Sequence, residues 1–296
     1  MASIDPDKAL GALLGLAVGE ALGRGEGEGA PATQMAFRLA DSLIAQGGYD
    51  GDDVLRSYVA WYGTKPAGVD PATAAVLTQI AAGADAYRAT STHHAAIGGA
   101  AAGNSALTRA TPVAIAFAKH PEGLRDATLA DAALTEYDPL PGKAALLANQ
   151  SVALLIVPGP RALTNSLQDP LPFDDRLLDV VLPAIGGVRR VAEQAAATHP
   201  HLVTTPIAVA FAAYYTFDSF EQGVSWAVNL GGDAAGYGAV TGALLGARFG
   251  ASHVPPQWAD ALDSHMEEVR SGHDEEPDEP HPRGGEGKTV WDSRIE

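Results

Sequence analysis

The sequence predicts an all-α protein, and three observations carry that prediction. Apolar residues recur at three- and four-residue intervals in run after run, the period of an amphipathic helix. Helix entry and exit signals bracket the runs: Asp5-Pro6 and Pro31 at starts, Gly47-Gly48 at an end. No stretch alternates apolar and polar residues convincingly, as a half-buried strand would.

The first run is Lys8 to Leu22, KALGALLGLAVGEAL, in which Leu10, Leu13, Leu14, Ala17 and Val18 keep the helical period. Gly11, Gly15 and Gly19 lie four apart on another face and predict tight packing against a second helix. Gly23 to Gly29, GRGEGEG, reads as a solvated loop carrying Arg24, Glu26 and Glu28. Pro31 opens the second helix, ATQMAFRLADSLIAQ, and Asp52 to Trp61 is a third with an acidic first turn. Pro71 to Gly83 reads as a fourth, and Thr92 to Ala102 as a short one. His93 and His94 are adjacent, so they point in different directions on a helix and do not suit a shared metal; a surface or capping role fits them.

Gly103-Asn104-Ser105-Ala106 interrupts the pattern, which resumes from Leu107 to Ala118 with Pro112 marking a kink or a fresh start. Leu129 to Leu134 reads as a short apolar helix ending in a polar turn, Thr135 to Pro139. Gly142 to Val157 follows as a buried helix, and Pro158 to Phe173 as an irregular, proline-rich segment. Asp174 to Ala197 and Thr205 to Tyr215 are read as two more helices, and Asp218 to Leu230 leads into the next stretch.

That stretch, Asn229 to Gly250, is NLGGDAAGYGAVTGALLGARFG. Ala239, Gly242, Ala243, Gly246 and Ala247 form a small-residue strip that lets a neighbouring backbone come close. Gly231-Gly232-Asp233 falls at its N-terminus, where unpaired N–H groups and the helix dipole suit an anion or a carboxylate. Asp233 equally suits a plain N-cap. A last helix runs from Pro255 through Val269.

Composition narrows the function classes. The 296 residues, 46% hydrophobic and 19% charged, suit one large domain or two small ones. With no cysteine, disulfides, thiolate chemistry and Cys-ligated zinc are excluded. The net charge of -17, without a basic stripe, argues against nucleic acid as a partner. From Glu267 onward ten acidic residues face four basic ones, and residues 271–296 are expected to form a disordered acidic tail beside a domain over 1–270. The N-terminus lacks a secretory pattern and no apolar run reaches the ~18 residues of a membrane helix, so a cytoplasmic location, away from membranes, is expected.

Four segments, in order, resemble the ADP-ribosylglycohydrolase family, which includes the dinitrogenase reductase-activating glycohydrolase. They are Gly11 to Gly23 (GALLGLAVGEALG), Thr33-Gln34-Met35 with the helix to Leu43, Gly103-Asn104-Ser105-Ala106-Leu107-Thr108-Arg109, and Gly231-Gly232-Asp233 with Gly242-Ala243 and Gly246-Ala247. Trp61 and Pro255 to Trp258 fit as well, so the resemblance covers residues 8 to 266. It implies a compact, mostly orthogonal all-α bundle with a central ligand cleft.

The departures from the family pattern are informative. The family's Thr-Asp-Asp-Thr motif binds metal through its first three residues; aligned on Thr33-Gln34-Met35, those places hold Ala30, Pro31 and Ala32. The family's Gly-Gly-Asp-Thr-Asp-Thr, where both Asp residues and the final Thr bind metal, is Gly231-Gly232-Asp233-Ala234-Ala235-Gly236 here. Asp233 alone survives among six ligand positions. Glu20 replaces the Asp of Gly-Asp-Ala-Leu-Gly, and the family's Thr-His is Thr135-Glu136. Mg²⁺ wants octahedral oxygen coordination, and a two-metal centre must hold two dications ~3.5–4 Å apart. No bound cofactor is therefore expected, unless Glu20, Glu26, Glu28 or Glu136 supplies relocated carboxylates for Mg²⁺.

The resemblance then implies a protein that binds ADP-ribose or a related nucleotide sugar, free or on an ADP-ribosylated protein, without di-magnesium hydrolysis. Gly103, Asn104, Ser105, Gly231 and Gly232 would line the ligand site, and Arg109 would meet either phosphate or an internal carboxylate. An active hydrolase would instead rely on carboxylates, with Glu20 and Asp233 as first candidates beside Glu26, Glu28 and Glu136. A third expectation is a protein-interaction role for the scaffold, with the acidic tail as the binding element.

Overall fold

Helix α1 (Pro6–Arg24) and helix α14 (Ala234–Phe249) run antiparallel through the centre of the molecule, backbone against backbone. Gly11, Gly15 and Gly19 face Gly246, Gly242 and Gly238 in turn, and a side-chain carbon on any of the six would collide with the opposite carbonyl. The two small-residue strips seen in the sequence are thus the two halves of one interface. It is this face of α1 that is buried, together with Ala17 and Val18, while Leu10 is 59% exposed. The leucine period therefore does not mark the inner face: glycines carry it, because contact distance here is set by backbone.

A computed structural model describes residues 3–24, 30–99, 103–159 and 174–260. Among these, helices α2 (Pro31–Gln46), α3 (Gly51–Gly63), α4 (Pro71–Ala81) and α5 (Ala86–Ala96) follow α1. Then come α6 (Ser105–Arg109), α7 (Thr111–Ala116), α8 (Pro121–Ala133) and α9 (Pro139–Ile156). The remainder are α10 (Asp175–Ile185), α11 (Arg189–Thr198), α12 (Thr204–Thr216) and α13 (Phe220–Val228), with a 3₁₀ turn at Ala251–His253 after α14. No strand occurs among the described residues. Residues 256–260 are helical; the rest of the expected last helix, the tail and 160–173 lie outside the described residues.

The signals of entry and exit act as expected. Asp50, Asp70, Asp85, Asp138 and Ser219 each accept a backbone N–H of the helix they precede. Gly47 closes α2 in the left-handed conformation. Pro112 does mark a fresh start, since the chain breaks at Ala110 between α6 and α7. Four boundaries differ from the expected ones. The single helix expected over 174–197 is two, separated at Gly186 and Gly187, the latter with φ of 73°. The fifth helix starts at Ala86, capped by Asp85, and ends before the predicted 102. Helix α8 begins at Pro121, and Ser105 lies inside α6 rather than in a break. At α5 a capping Asp85 and at α8 a leading Pro121 outweigh the apolar pattern.

Two main cores flank the central pair. One gathers α9, α10, α11, α12 and α14 around Leu140, Leu147, Ile207 and Phe211. The other joins α2, α3, α4, α7 and α8 around Met35, Leu39, Tyr58 and Leu77. This arrangement brings the N-termini of α2, α4, α6 and α14 towards one another. No helix among the described residues is long and apolar enough to cross a membrane.

Candidate functional site

Gly231 and Gly232 enter α14 with φ of 73° and 64°, a pair of left-handed residues that glycine adopts without steric cost. Pro200 presses on this turn, and the Tyr237 hydroxyl donates to the Pro200 carbonyl at 2.9 Å. Both glycines are exposed. Asp233 caps α14: one carboxylate oxygen accepts the Gly236 N–H at 3.2 Å. The other accepts the side-chain amide of Asn104, which precedes α6 but gives its own helix no side-chain cap.

Gly236 explains how that bond fits. A side-chain carbon there would lie 2.6 Å from the Asn104 amide nitrogen and closer still to the Asp233 carboxylate. Asn104, Asp233 and Gly236 are therefore one local arrangement. It unites two of the segments quoted above, and Gly103 stands beside it, 3.9 Å from an Asp70 carboxylate oxygen by the same measure.

Glu20 lies beneath the N-terminus of α2. Its Oε1 accepts Ala32 N–H at 3.0 Å and Arg24 Nε at 3.2 Å; its Oε2 accepts the Thr33 N–H and Thr33 hydroxyl, both at 2.7 Å. Ala30, at the N-cap position, has no side chain to do this work. Glu20 is 1% exposed and its oxygens are fully engaged. These bonds make Glu20 a cap for α2. Arg24 continues the strap by donating to the Gly68 carbonyl at 3.0 Å.

Arg109 is wholly buried and pairs with Asp131 through Nε at 3.0 Å. Its remaining donors reach the Asp131 carbonyl, the Ser105 hydroxyl and the Thr135 hydroxyl at 2.9, 3.3 and 3.1 Å. The guanidinium also stacks over Tyr58, whose hydroxyl donates to the other Asp131 oxygen at 2.9 Å. Burial and the adjoining Asp131 push the Tyr58 phenol well up from its ordinary value. Of the two roles open to Arg109, the structure shows the internal carboxylate, and the ligand-binding expectation is withdrawn because its donors are taken. Ser105 belongs to the same buried network.

Glu136 follows Thr135 in the turn between α8 and α9 and is 6% exposed. Burial, and after it the Asp70 carboxylate, push its carboxyl up to about 8; Arg109 pulls the other way and Asp138 adds to the rise. Next to it Tyr137 packs in tilted fashion against His94 and Tyr87, ring centroids 5.1 and 5.9 Å away. Glu26 and Glu28 lie outside the described residues. Among the described residues no three His, Asp or Glu side chains gather as a cation site requires.

Sequence reasoning missed Asp131, Tyr58 and Asp70 as neighbours of this region. Asp70 carries a signal, since Asp-Pro opens a helix. Asp131 carries none, because nothing local announces a partner 22 residues away from Arg109.

Comparison with known proteins shows which family the chain resembles. The family model for ADP-ribosylglycohydrolase matches residues 1–276. The chain is 30% identical over 293 residues to ADP-ribosyl-(dinitrogen reductase) glycohydrolase of Rhodospirillum rubrum, covering 89% of this chain and 93% of that protein. Among solved structures, an ADP-ribosylglycohydrolase-related protein complex is similar with a TM-score of 0.65 at 27% identity, covering 87% of this chain and 95% of the other.

Proposed function

Because the chain belongs to the ADP-ribosylglycohydrolase family, we propose that it binds ADP-ribose or a related ADP-ribosyl ligand without the di-magnesium hydrolysis of that family. The Asn104–Asp233 hydrogen bond carries this reading. It occupies the one carboxylate left at the six places where the family pattern puts metal ligands, and Gly236 at another of those places makes room for it. Ala30, Pro31, Ala32 and Ala235 offer no side-chain oxygen. Such a donor set does not fit two octahedral dications. Glu20, the nearest substitute by sequence, has both oxygens engaged by α2 and Arg24.

What remains suits recognition. The exposed Gly231-Gly232 turn presents N–H groups at the positive end of α14, where a phosphate of the ligand would sit. Asn104, bonded to Asp233, and Gly103 before it would stand beside that ligand. The location we assign is the cytoplasm, and the partner is the free ligand or a protein bearing it.

Calorimetry with ADP-ribose, with and without Mg²⁺ or Mn²⁺, tests the proposal. Binding with equal affinity in both conditions, matched by a raised melting temperature, is the expected result. Tight metal binding that ADP-ribose binding depends on would overturn it.

One second reading is cleavage of an N- or O-ribosyl bond by carboxylates, with Glu136, whose carboxyl burial pushes up to about 8, as the acid. Release of ADP-ribose from ADP-ribosyl-arginine or ADP-ribosyl-serine by the wild type, abolished in Glu136→Gln, would establish it. An inert wild type removes it.

A further inference from the structure

A buried cavity lies where α6, α7, α9, α12 and α14 meet. Every residue that lines it is buried except the half-buried Ala148. The walls are mostly apolar, with Leu107, Val152 and Phe211 among them. Three polar side chains interrupt them: Thr108 on α6, Thr111 on α7 and Asn149 on α9, each 5% exposed or less.

The hydrogen bonds around the cavity leave a defined remainder. The Thr128 hydroxyl donates to the Leu124 carbonyl at 2.6 Å, so towards Asn149 it can only accept, and Asn149 Nδ2 donates to it at 2.9 Å. That bond orients the Asn149 amide and leaves its Oδ1 without a partner among the described residues. The Thr111 hydroxyl has no hydrogen-bond partner among them either. The Thr108 hydroxyl donates to the Ser105 carbonyl at 3.2 Å and keeps its lone pairs. One donor and two acceptors therefore remain on the lining of one cavity, and buried polar groups cost free energy until something pairs with them. The room left for a water's centre is about 10 Å³, against ~10–15 Å³ for a single water by that measure.

We propose that this cavity is a built site for one structural water, held by Thr111, Asn149 and Thr108 as a bridge between α7, α9 and α6. The water donates to Asn149 Oδ1 and Thr108 Oγ1 and accepts from the Thr111 hydroxyl. That makes three bonds, the usual complement of a buried water. Val240 and Ala243 of α14 close the cavity on another side. The water thus fills the space between α6, which follows Asn104, and the helix that Asp233 caps. The site is independent of any ADP-ribosyl ligand.

A high-resolution crystal structure of the full chain is expected to show one density peak within hydrogen-bonding distance of Thr111 Oγ1 and Asn149 Oδ1. Thr111→Val keeps the shape of the wall and removes the hydroxyl. With a water in place it strips that water of a partner, and the melting temperature is expected to fall by about 2–4 °C. In a dry cavity the same change replaces an unpaired hydroxyl by a methyl and raises the melting temperature. Magnetic relaxation dispersion of the solvent should count one long-lived water fewer in the variant than in wild type. A cavity without density, a valine variant that melts at or above the wild-type temperature, or equal counts of long-lived water in the two proteins overturns the proposal.

Discussion

The Asn104 side-chain amide donates to the Asp233 carboxylate across 129 positions of chain, and the missing side chain of Gly236 is what lets it. A methyl at 236 must push one partner away. Gly236→Ala is therefore expected to destabilise by about 1–3 kcal/mol, although alanine is the better helix former by about 1 kcal/mol. In an Asn104→Ala background the same change should cost at least ~1 kcal/mol less. A urea-denaturation double-mutant cycle measures this, and strictly additive costs would show that the two residues do not share the space.

The α1–α14 interface makes a sharper demand. At Gly19 and Gly238 the obstacle is an opposing carbonyl, not a flexible side chain, so the helices themselves would have to separate. Gly19→Ala is expected to cost about 3 kcal/mol or more, or to prevent folding. Gly63→Ala, at the exposed end of α3 with nothing near it, should be neutral to slightly stabilising. Melting temperatures of the two variants separate the packing effect from helix propensity. Equal behaviour would refute the account of the interface.

These contrasts show what the chain discloses locally and what it does not. The all-α class, most helix starts and the two glycine strips are legible, since period, caps and small-residue spacing are written in neighbouring residues. The pairing of the strips is not, and so Leu10 reads as core while it points to solvent. At the site, Asp233 is legible twice over, as cap and as family position. Its bond to Asn104, the use of Glu20 to cap α2, and the withdrawal of Arg109 into a pair with Asp131 all depend on side chains meeting across distant segments. Local pattern carries no trace of such partners.

The Arg109–Asp131 pair is buried at both ends, at 0% and 1% exposure. Removing one partner strands the other, so Asp131→Ala is expected to cost about 3–5 kcal/mol. Arg109→Met with Asp131→Leu removes both charges and should recover much of that loss, less what Tyr58, Ser105 and Thr135 forfeit. Chemical denaturation of the single and double variants decides it. ADP-ribose affinity of the double variant should stay within a few-fold of wild type, because Arg109 is wholly buried and its donors are taken; a hundredfold loss would return Arg109 to the binding site.

Glu136 gives stability a distinctive dependence on pH. Between pH about 5 and 8 the unfolded chain has released this proton from a carboxyl of ordinary value 4.5, while the folded chain retains it up to about 8. The folded state then binds more protons than the unfolded one, so stability falls as pH rises through this window. Above it, the folded state carries a buried carboxylate beside Asp70 and Asp138, and the loss is complete. Each tenfold difference in proton affinity between the folded and unfolded chains corresponds to about 1.4 kcal/mol, which places the full effect on the order of several kcal/mol. Glu136→Gln removes the titration while keeping size and polarity. Its advantage over wild type in thermal melts is expected to be small at pH 5, to grow steadily to pH 8 and to level off beyond. Parallel melting curves for the two proteins across that range would mean that Glu136 ionises as readily folded as unfolded.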